Sequence, residues 1–177
     1  PDLAADMYDL AADLLGGYGF RQYEISNWCR PGYECAHNQV YWRYRPYLGL
    51  GAGAHSFDGA GRWWSVRSIA DYVERLDAPS AVDWPSPAAE GGEILNRSTQ
   101  MGEMLILGLR LTQEGVSEAE FRLRFGVALD DAFGGAIAEM IAAGLVVREA
   151  GRLRLTPRGR LVGNRVFVQF LPEANDV

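Results

Sequence analysis

Residues 35–42 read Cys-Ala-His-Asn-Gln-Val-Tyr-Trp, and residues 47–56 follow as Tyr-Leu-Gly-Leu-Gly-Ala-Gly-Ala-His-Ser. The first stretch holds one of the two histidines and one of the two cysteines of the chain, beside a Tyr-Trp pair. An imidazole and a thiol can ligate a metal, and large aromatic rings can stack on a planar ligand. The pattern predicts either a ligand site at His37 or a structured aromatic loop in which His37 bonds to backbone.

The segments before this stretch predict a helix followed by a strand. Apolar residues recur at three-to-four spacing over residues 2–17, which predicts an amphipathic helix that a Gly-Gly pair ends. Residues 20–26 alternate as a strand does, whereas residues 27–45 predict a long irregular loop. A helix followed by a strand is typical of an α/β unit.

A change in composition then predicts two domains. We expect a second strand at residues 47–50 and a helix at residues 65–76. Residues 77–92 are rich in Ala, Pro, Ser and Asp, which indicates an exposed linker. The chain is therefore expected to divide into residues 1–76, this linker and a second domain over residues 93–177.

The second domain has the order of elements found in winged-helix proteins. Ser117 with Glu120 forms a capping-box pattern, and Thr156-Pro157 is a helix-start signal. Alternating residues on both sides of a Gly turn predict a hairpin. The expected elements are helices over residues 94–111, 118–125, 130–143 and 157–170, and a hairpin over residues 145–155.

Charge and composition exclude several classes of protein. The net charge of −6 argues against a general nucleic-acid binder. Residues 148–165 carry six arginines and one acid, but the predicted helix 130–143 has no basic residue, so we expect no nucleic-acid partner. No apolar run approaches the roughly 18 residues that span a bilayer, and no signal peptide is visible. We expect a cytoplasmic protein without a transmembrane segment.

The two cysteines and the first residue indicate the context of the chain. Cys29 and Cys35 are too few for a disulfide scaffold, and the five residues between them fit no common zinc or iron–sulfur spacing. We therefore expect reduced thiols. The chain starts at Pro1, inside the first predicted helix and without Met, which we interpret as a piece of a longer protein.

The glycine-rich segment has two open interpretations. It lacks the immediately following helix that a dinucleotide-binding loop needs. Gly51, Ala52 and Gly53 therefore either let backbone approach a ligand or substrate, or let two strands pack closely. His55 and Ser56 have neither an acid partner nor a nucleophile elbow, so hydrolase chemistry is not expected.

The chain resembles the HemW family of radical SAM haem chaperones, which are related to oxygen-independent coproporphyrinogen III oxidase of porphyrin biosynthesis. The resemblance covers essentially the whole chain, and its His-Asn-x-x-Tyr-Trp signature separates the chaperones from the true oxidases. It is carried by Tyr23-Glu24-Ile25-Ser26-Asn27, Pro31-Gly32-Tyr33-Glu34-Cys35, His37-Asn38-x-x-Tyr41-Trp42, Tyr47-Leu48-Gly49-x-Gly51-Ala52-Gly53-Ala54-His55-Ser56, Leu107-Gly108-Leu109-Arg110-Leu111 and Leu155-Thr156-Pro157-Arg158-Gly159.

This resemblance implies a fold, cofactors and partners. The fold class is α/β, with residues 1–76 as the C-terminal strands and helices of an incomplete TIM-like radical SAM barrel. A small winged-helix-like α+β domain of the HemN type follows. Haem is the implied ligand, and haem-acceptor proteins such as respiratory enzymes are the implied partners. The full-length parent would also hold a [4Fe–4S] cluster and S-adenosyl-L-methionine.

The same resemblance implies the core of a haem-binding site. His37 maps onto the proposed axial ligand of the haem iron, a role that suits a neutral imidazole. Tyr41 and Trp42 would flank the porphyrin or fix the surrounding segment. Asn38 would bond to the other imidazole nitrogen or to a propionate.

Three further side chains complete the implied site. Arg43 and Arg45 would pair with propionates, because a guanidinium matches a carboxylate in geometry. Cys35 offers an alternative axial thiolate.

One departure from the family limits the chemistry of this chain. Radical SAM proteins bind their cluster through a Cys-x-x-x-Cys-x-x-Cys loop, which is missing here. We therefore expect the chain by itself to hold no iron–sulfur cluster and to have no catalytic residue. Three functions compete: a haem chaperone, an oxygen-independent coproporphyrinogen III oxidase whose porphyrinogen lies on the same segments, and a winged-helix interaction module.

Overall fold

The computed structural model describes residues 2–77 and 84–171. Helices and strands alternate irregularly along the described chain. The elements in chain order are α1 (Asp2–Gly17), β1 (Arg21–Glu24), β2 (Asn27–Cys29), α2 (Ala36–Trp42), β3 (His55–Phe57), β4 (Gly61–Ser65), α3 (Ile69–Asp77), β5 (Ala89–Ile94), α4 (Arg97–Gly108), β6 (Val116–Ser117), α5 (Glu118–Phe125), α6 (Leu129–Ala142), β7 (Val146–Glu149), β8 (Arg152–Leu155), α7 (Pro157–Leu161), α8 (Gly163–Phe167) and a 3-10 helix (Val168–Phe170).

The strands of the described residues form three small antiparallel sheets. Their strand orders are β1-β2, β3-β4-β5 and β6-β8-β7. Two residues connect β1 to β2, and so short a connection can join only antiparallel strands. The parallel strand pairs expected of a barrel are therefore not found among the described residues, and the barrel assignment of residues 1–76 stays a prediction.

The first hairpin is joined to the segment that follows α4. On the side of β1 away from β2, the backbone N–H of Ile25 donates to the carbonyl of Arg110 at 3.0 Å. The N–H of Thr112 donates to the carbonyl of Tyr23 at 3.1 Å. Both edges of β1 thus make backbone hydrogen bonds, so the hairpin is fixed to the second half of the chain.

The prediction of an exposed linker over residues 77–92 is wrong for its last residues, which belong to the middle sheet. Residues 77–92 were expected to be exposed connection, but Ala89–Ile94 form strand β5, which pairs with β4. In the register of this pairing, Trp63 lies opposite Gly92 and Trp64 lies opposite Gly91. A Cβ on Gly92 would lie 2.3 Å from the Trp84 ring, so the glycine lets the strand pass beneath the indole. Residues 78–83 of the predicted linker lie outside the described residues.

The main hydrophobic core lies in the second half of the chain. Its helices and strands follow the order α4, β6, α5, α6, β7, β8, and the terminal helices close it. The buried members are Leu105, Leu109, Val116, Phe121, Phe125, Leu129, Ile137, Met140, Leu145, Val146, Leu153, Leu155, Val166 and Phe170. This core stabilises the part of the chain against which the candidate site packs.

Several predicted elements have different bounds in the structure. The helix expected over residues 94–111 is α4, which begins after Asn96, because Ile94 belongs to β5 and the Asn96 side chain caps Thr99. The helix expected over residues 157–170 is interrupted at Val162, whose φ of −122° is not helical. The strand expected at residues 47–50 is reduced to a bridge between Tyr47 and Phe57.

Candidate functional site

The His-Asn-x-x-Tyr-Trp segment is a helix rather than the predicted irregular loop. Helix α2 begins after Cys35, which is in extended conformation and makes no side-chain capping bond. Residues four apart on a helix share a face, so the helix brings His37 and Tyr41 together. The free thiol of Cys35 is exposed one turn before Gln39, whose N–H donates to the Cys35 carbonyl at 3.1 Å.

The His37 ring is exposed to solvent and oriented by Tyr41. Its Nε2 lies 3.1 Å from the Tyr41 hydroxyl, and the two rings meet edge to face with centroids 4.9 Å apart. Nδ1 has no hydrogen-bond partner among the described residues. With a hydrogen on Nε2 donated to Tyr41, the Nδ1 lone pair remains available to a metal. The imidazole is thus accessible, and the alternative bond from His37 to backbone is not found among the described residues.

A row of aromatic rings runs from His37 into the protein. Tyr41 meets Tyr47 with centroids 4.6 Å apart, and Tyr47 meets Phe57 at 6.2 Å. Tyr44 also packs on Phe57, at 4.8 Å. The row connects α2 to strand β3, and such tilted and edge-to-face contacts stabilise aromatic clusters.

Asn38 and Trp42 have partners other than those expected. The Asn38 amide donates to the Tyr23 hydroxyl at 3.4 Å, and its predicted bond to the imidazole or to a propionate stays a prediction. The guanidinium of Arg110 lies 4.3 Å from the centroid of the Trp42 ring and covers one of its faces. The Trp42 indole N–H is buried, and no described residue accepts its hydrogen. Both side chains therefore help to attach α2 to the rest of the chain.

The two arginines after the motif differ in whether the guanidinium group already has an ion-pair partner. Arg43 binds Glu114 with its Nε at 3.0 Å and its Nη2 at 2.8 Å from the Oε2 atom. The guanidinium of Arg43 therefore already holds a carboxylate, and its pairing with a propionate stays a prediction. Arg45 is exposed and has no ion-pair partner among the residues of the two described ranges.

In the glycine-rich segment, one glycine is required for close packing, whereas the approach to a ligand is not tested. A Cβ on Gly49 would lie 2.1 Å from the carbonyl oxygen of His55, so close backbone packing requires glycine there. Gly51 and Gly53 instead adopt positive φ values of 107° and 71° in a turn, with Ala52 between them. The N–H of Gly51 donates to the Tyr72 hydroxyl at 3.1 Å. A substrate-facing role for residues 51–53 stays a prediction.

A pocket of about 260 Å³ lies beside the aromatic row, and the sequence did not predict it. We call it the aromatic pocket; its lining includes Tyr44, Tyr47, Leu107 and Glu103. The Tyr44 hydroxyl donates to Glu103 at 3.3 Å. Burial, followed by the nearby carboxylate, raises the pKa of Tyr44, and burial also raises the pKa of Tyr47. The only sequence signal for this pocket was the density of aromatic residues around position 44.

The described residues contain no cluster of three or more His, Cys, Asp or Glu side chains suited to hold a metal ion. A metal at His37 would therefore need further ligands from the molecule that carries it. In residues 2–77 and 84–171, we also find no helix with the length and apolar character needed to cross a membrane.

Known proteins resemble this chain over nearly its whole length. Residues 95–162 match the HemN C-terminal domain. The haem chaperone HemW of Bacillus subtilis is 34% identical over 169 residues, which cover 96% of this chain and 43% of that protein. HemW of Mycobacterium tuberculosis H37Rv is 38% identical over 170 residues, 96% of this chain and 40% of that protein. Mouse mitochondrial radical S-adenosyl methionine domain-containing protein 1 is 31% identical over 186 residues, 99% of this chain and 41% of that protein.

A solved structure shares the fold. Coproporphyrinogen III oxidase (HemN) from Escherichia coli, a radical SAM enzyme, matches with a TM-score of 0.66 at 18% identity, over 93% of this chain and 40% of that chain. At this identity the match shows the fold alone. The chain spans about two-fifths of the length of these curated relatives.

Proposed function

The chain belongs to the HemW family, and from this premise we propose that it binds haem, with the exposed imidazole of His37 as a ligand to the iron. The observation that carries the proposal is the position of this ring. It is open to solvent, it is held by Tyr41, and it stands at the end of the aromatic row. An iron ion in haem brings four porphyrin nitrogens, so a single protein imidazole is enough to complete a site.

The Tyr41 hydroxyl has the position of a supporting group. A histidine that ligates a metal usually donates its other ring N–H to a partner, which fixes the tautomer and the orientation of the ring. The 3.1 Å contact from Nε2 to the Tyr41 hydroxyl supplies such a partner. On this interpretation Nδ1 faces the iron, and Tyr41 holds the hydrogen on Nε2.

We propose that the whole protein is a haem chaperone of the radical SAM superfamily. The names of the relatives support that view. The [4Fe–4S] cluster and S-adenosylmethionine would then bind outside the part that aligns with this chain. Haem held at α2 would pass to acceptor proteins such as respiratory enzymes.

We also propose that residues 97–155 are a winged-helix-like unit. Two observations support this: the chain order helix, strand, two helices and two strands, and the sheet order β6-β8-β7. Such a unit docks proteins as well as nucleic acids, so it is compatible with a chaperone. Because β5 pairs with β4, a first domain that ended at residue 76 would divide the middle sheet.

Titration of ferric haem into the 177-residue chain, followed by the shift of the Soret band, tests the proposal. We expect His37→Ala to weaken haem binding at least tenfold. Loss of a residue that only supports a metal ligand already weakens metal binding about tenfold or more, and loss of the ligand itself should cost at least as much. His55→Ala is the matched control, because His55 is also exposed and lies against an aromatic ring, Trp64, at 5.9 Å. Equal affinity and equal spectra for the two variants would contradict the proposal.

A further inference from the structure

The aromatic pocket adjoins the imidazole through a shared residue. Tyr41 both bonds to His37 and lines the pocket. The other walls come from Tyr44, Tyr47 and Phe57 on one side and Leu107 of α4 on the other. Aromatic rings and Leu107 make up most of the lining, so the interior is largely apolar.

The charges at the pocket favour an anion. Its one acid, Glu103, is bound by Arg62 at 2.9 Å and by the Tyr44 hydroxyl at 3.3 Å. Arg62 also binds Glu93, so its guanidinium is shared between two carboxylates. Arg45 is the remaining cation of the lining, and no acid of the described chain pairs with it. A carboxylate from a ligand would complete this pair.

Trp42 also lines the pocket, but its indole nitrogen is buried and is therefore not a donor that a ligand in the pocket can reach. The pocket thus combines a largely apolar lining with one charged donor, Arg45, that is unpaired among the described residues.

We propose that the aromatic pocket receives the edge of a porphyrin, with one of its carboxylates paired to Arg45. The proposal rests on the proposed function, because it assigns the second contact of the ligand whose iron His37 would bind. Pockets that enclose a whole drug-sized ligand have volumes of roughly 300–1,000 Å³. At about 260 Å³ this pocket fits a part of a tetrapyrrole, and the rest of the ring would extend along the aromatic row toward His37.

The test uses metal-free protoporphyrin IX, whose fluorescence reports binding without any iron coordination. We expect Arg45→Gln to weaken its binding to the 177-residue chain about tenfold, the effect of losing one charge-assisted hydrogen bond. Leu107→Trp, which fills the pocket, should have a similar effect. Arg122→Gln is the matched control, because Arg122 is an exposed arginine outside this pocket. Far-UV circular dichroism checks that each variant is folded.

The dimethyl ester of protoporphyrin separates the carboxylate contact from the apolar contact. Its affinity should be insensitive to Arg45→Gln but reduced by Leu107→Trp. Affinities of Arg45→Gln and Leu107→Trp for protoporphyrin equal to that of the control would overturn the proposal. This result would leave the haem titration of His37→Ala unaffected, so the failure of one proposal is distinguishable from the failure of the other.

Discussion

Replacement of the buried Glu24 by glutamine is expected to lower the free energy of unfolding by about 2–4 kcal/mol. The Glu24 side chain is 0% exposed, and it accepts hydrogen bonds from the amide of Asn27 and from Arg110, whose Nη2 lies 3.3 Å from its Oε2. Arg110 in turn covers the Trp42 ring. The carboxylate therefore joins the first hairpin, the segment after α4 and helix α2.

The expected magnitude follows from the burial of the two partners. Removal of one charge from a fully buried pair costs about 3–5 kcal/mol, because the other charge is left uncompensated. The Arg110 side chain is 25% exposed, so water partly solvates the remaining charge and lowers the cost. Glutamine keeps the volume of the side chain and still accepts from Asn27, so no cavity cost is added.

Urea unfolding followed by tryptophan fluorescence measures this effect. With a slope of about 2 kcal/mol per molar, the midpoint for Glu24→Gln should fall by about 1–2 M at unchanged slope. Glu149→Gln is the control, since Glu149 is 59% exposed and its bond to Arg154 is worth about 0–1 kcal/mol. If the two variants unfold within about 0.5 kcal/mol of each other, the reasoning from burial is refuted.

Three further changes give different readouts. Tyr41→Phe removes the hydroxyl that is hydrogen-bonded to His37. It should weaken haem binding about tenfold in a Soret titration, which is the smaller end of the effect seen when a metal-binding histidine loses its hydrogen-bond partner. The Asp58 carboxylate accepts two N–H bonds of its turn, which lower its pKa. Above pH 5 the free energy of unfolding of wild type should therefore exceed that of Asp58→Asn by about 1 kcal/mol. This difference should shrink as the pH falls through the lowered pKa, and urea unfolding at a series of pH values measures it. Gly49→Ala would place its Cβ 2.1 Å from the His55 carbonyl oxygen and should lower the thermal midpoint, at a cost of about 1–3 kcal/mol.

Each of these changes has its own control. Tyr18→Phe removes an exposed hydroxyl far along the sequence from the motif and should leave haem affinity unchanged. An Asp58→Asn margin that is constant from pH 7 to pH 3 would show that the carboxylate charge contributes nothing. Gly16→Ala has no heavy atom within 4 Å of the added Cβ, so it should be neutral or stabilising; equal losses for it and Gly49→Ala would contradict the packing argument.

Local signals in the sequence predicted two helix starts and one turn in the second half of the chain. The Ser117 side chain accepts from the N–H of Glu120 at 3.2 Å, and Thr156 accepts from Gly159 at 3.0 Å, as the capping patterns predicted. The hairpin of β7 and β8 turns at Ala150 and Gly151, both with positive φ. These features depend on neighbours within a few residues, so sequence alone contains them.

Elements that depend on distant contacts were missed. Strand β5 has the sequence Ala-Glu-Gly-Gly-Glu-Ile, which has low strand propensity. It forms because Gly91 and Gly92 leave room for the indoles of Trp64 and Trp84. Helix α2 is short and polar, and Arg43 at its end binds Glu114, 71 residues away. Such pairings are set by the tertiary fold.

The sequence named the residues of the candidate site as a prediction, but it did not reveal their partners within the chain. His37 and Tyr41 lie together as their four-residue spacing allows, and the HemW family assignment is confirmed by the relatives. The capture of Arg43 by Glu114 and of Asn38 by Tyr23 involves residues far apart in sequence, so spacing could not reveal it.

Resonance Raman spectroscopy of the ferrous haem complex tests the central claim most directly, because the iron–imidazole stretching band reports the bond itself. The account predicts this band in wild type and in His55→Ala, a shift of the band when the chain is labelled with nitrogen-15 histidine, and its loss in His37→Ala. Persistence of an unchanged band in His37→Ala would mean that another group binds the iron and would contradict the account.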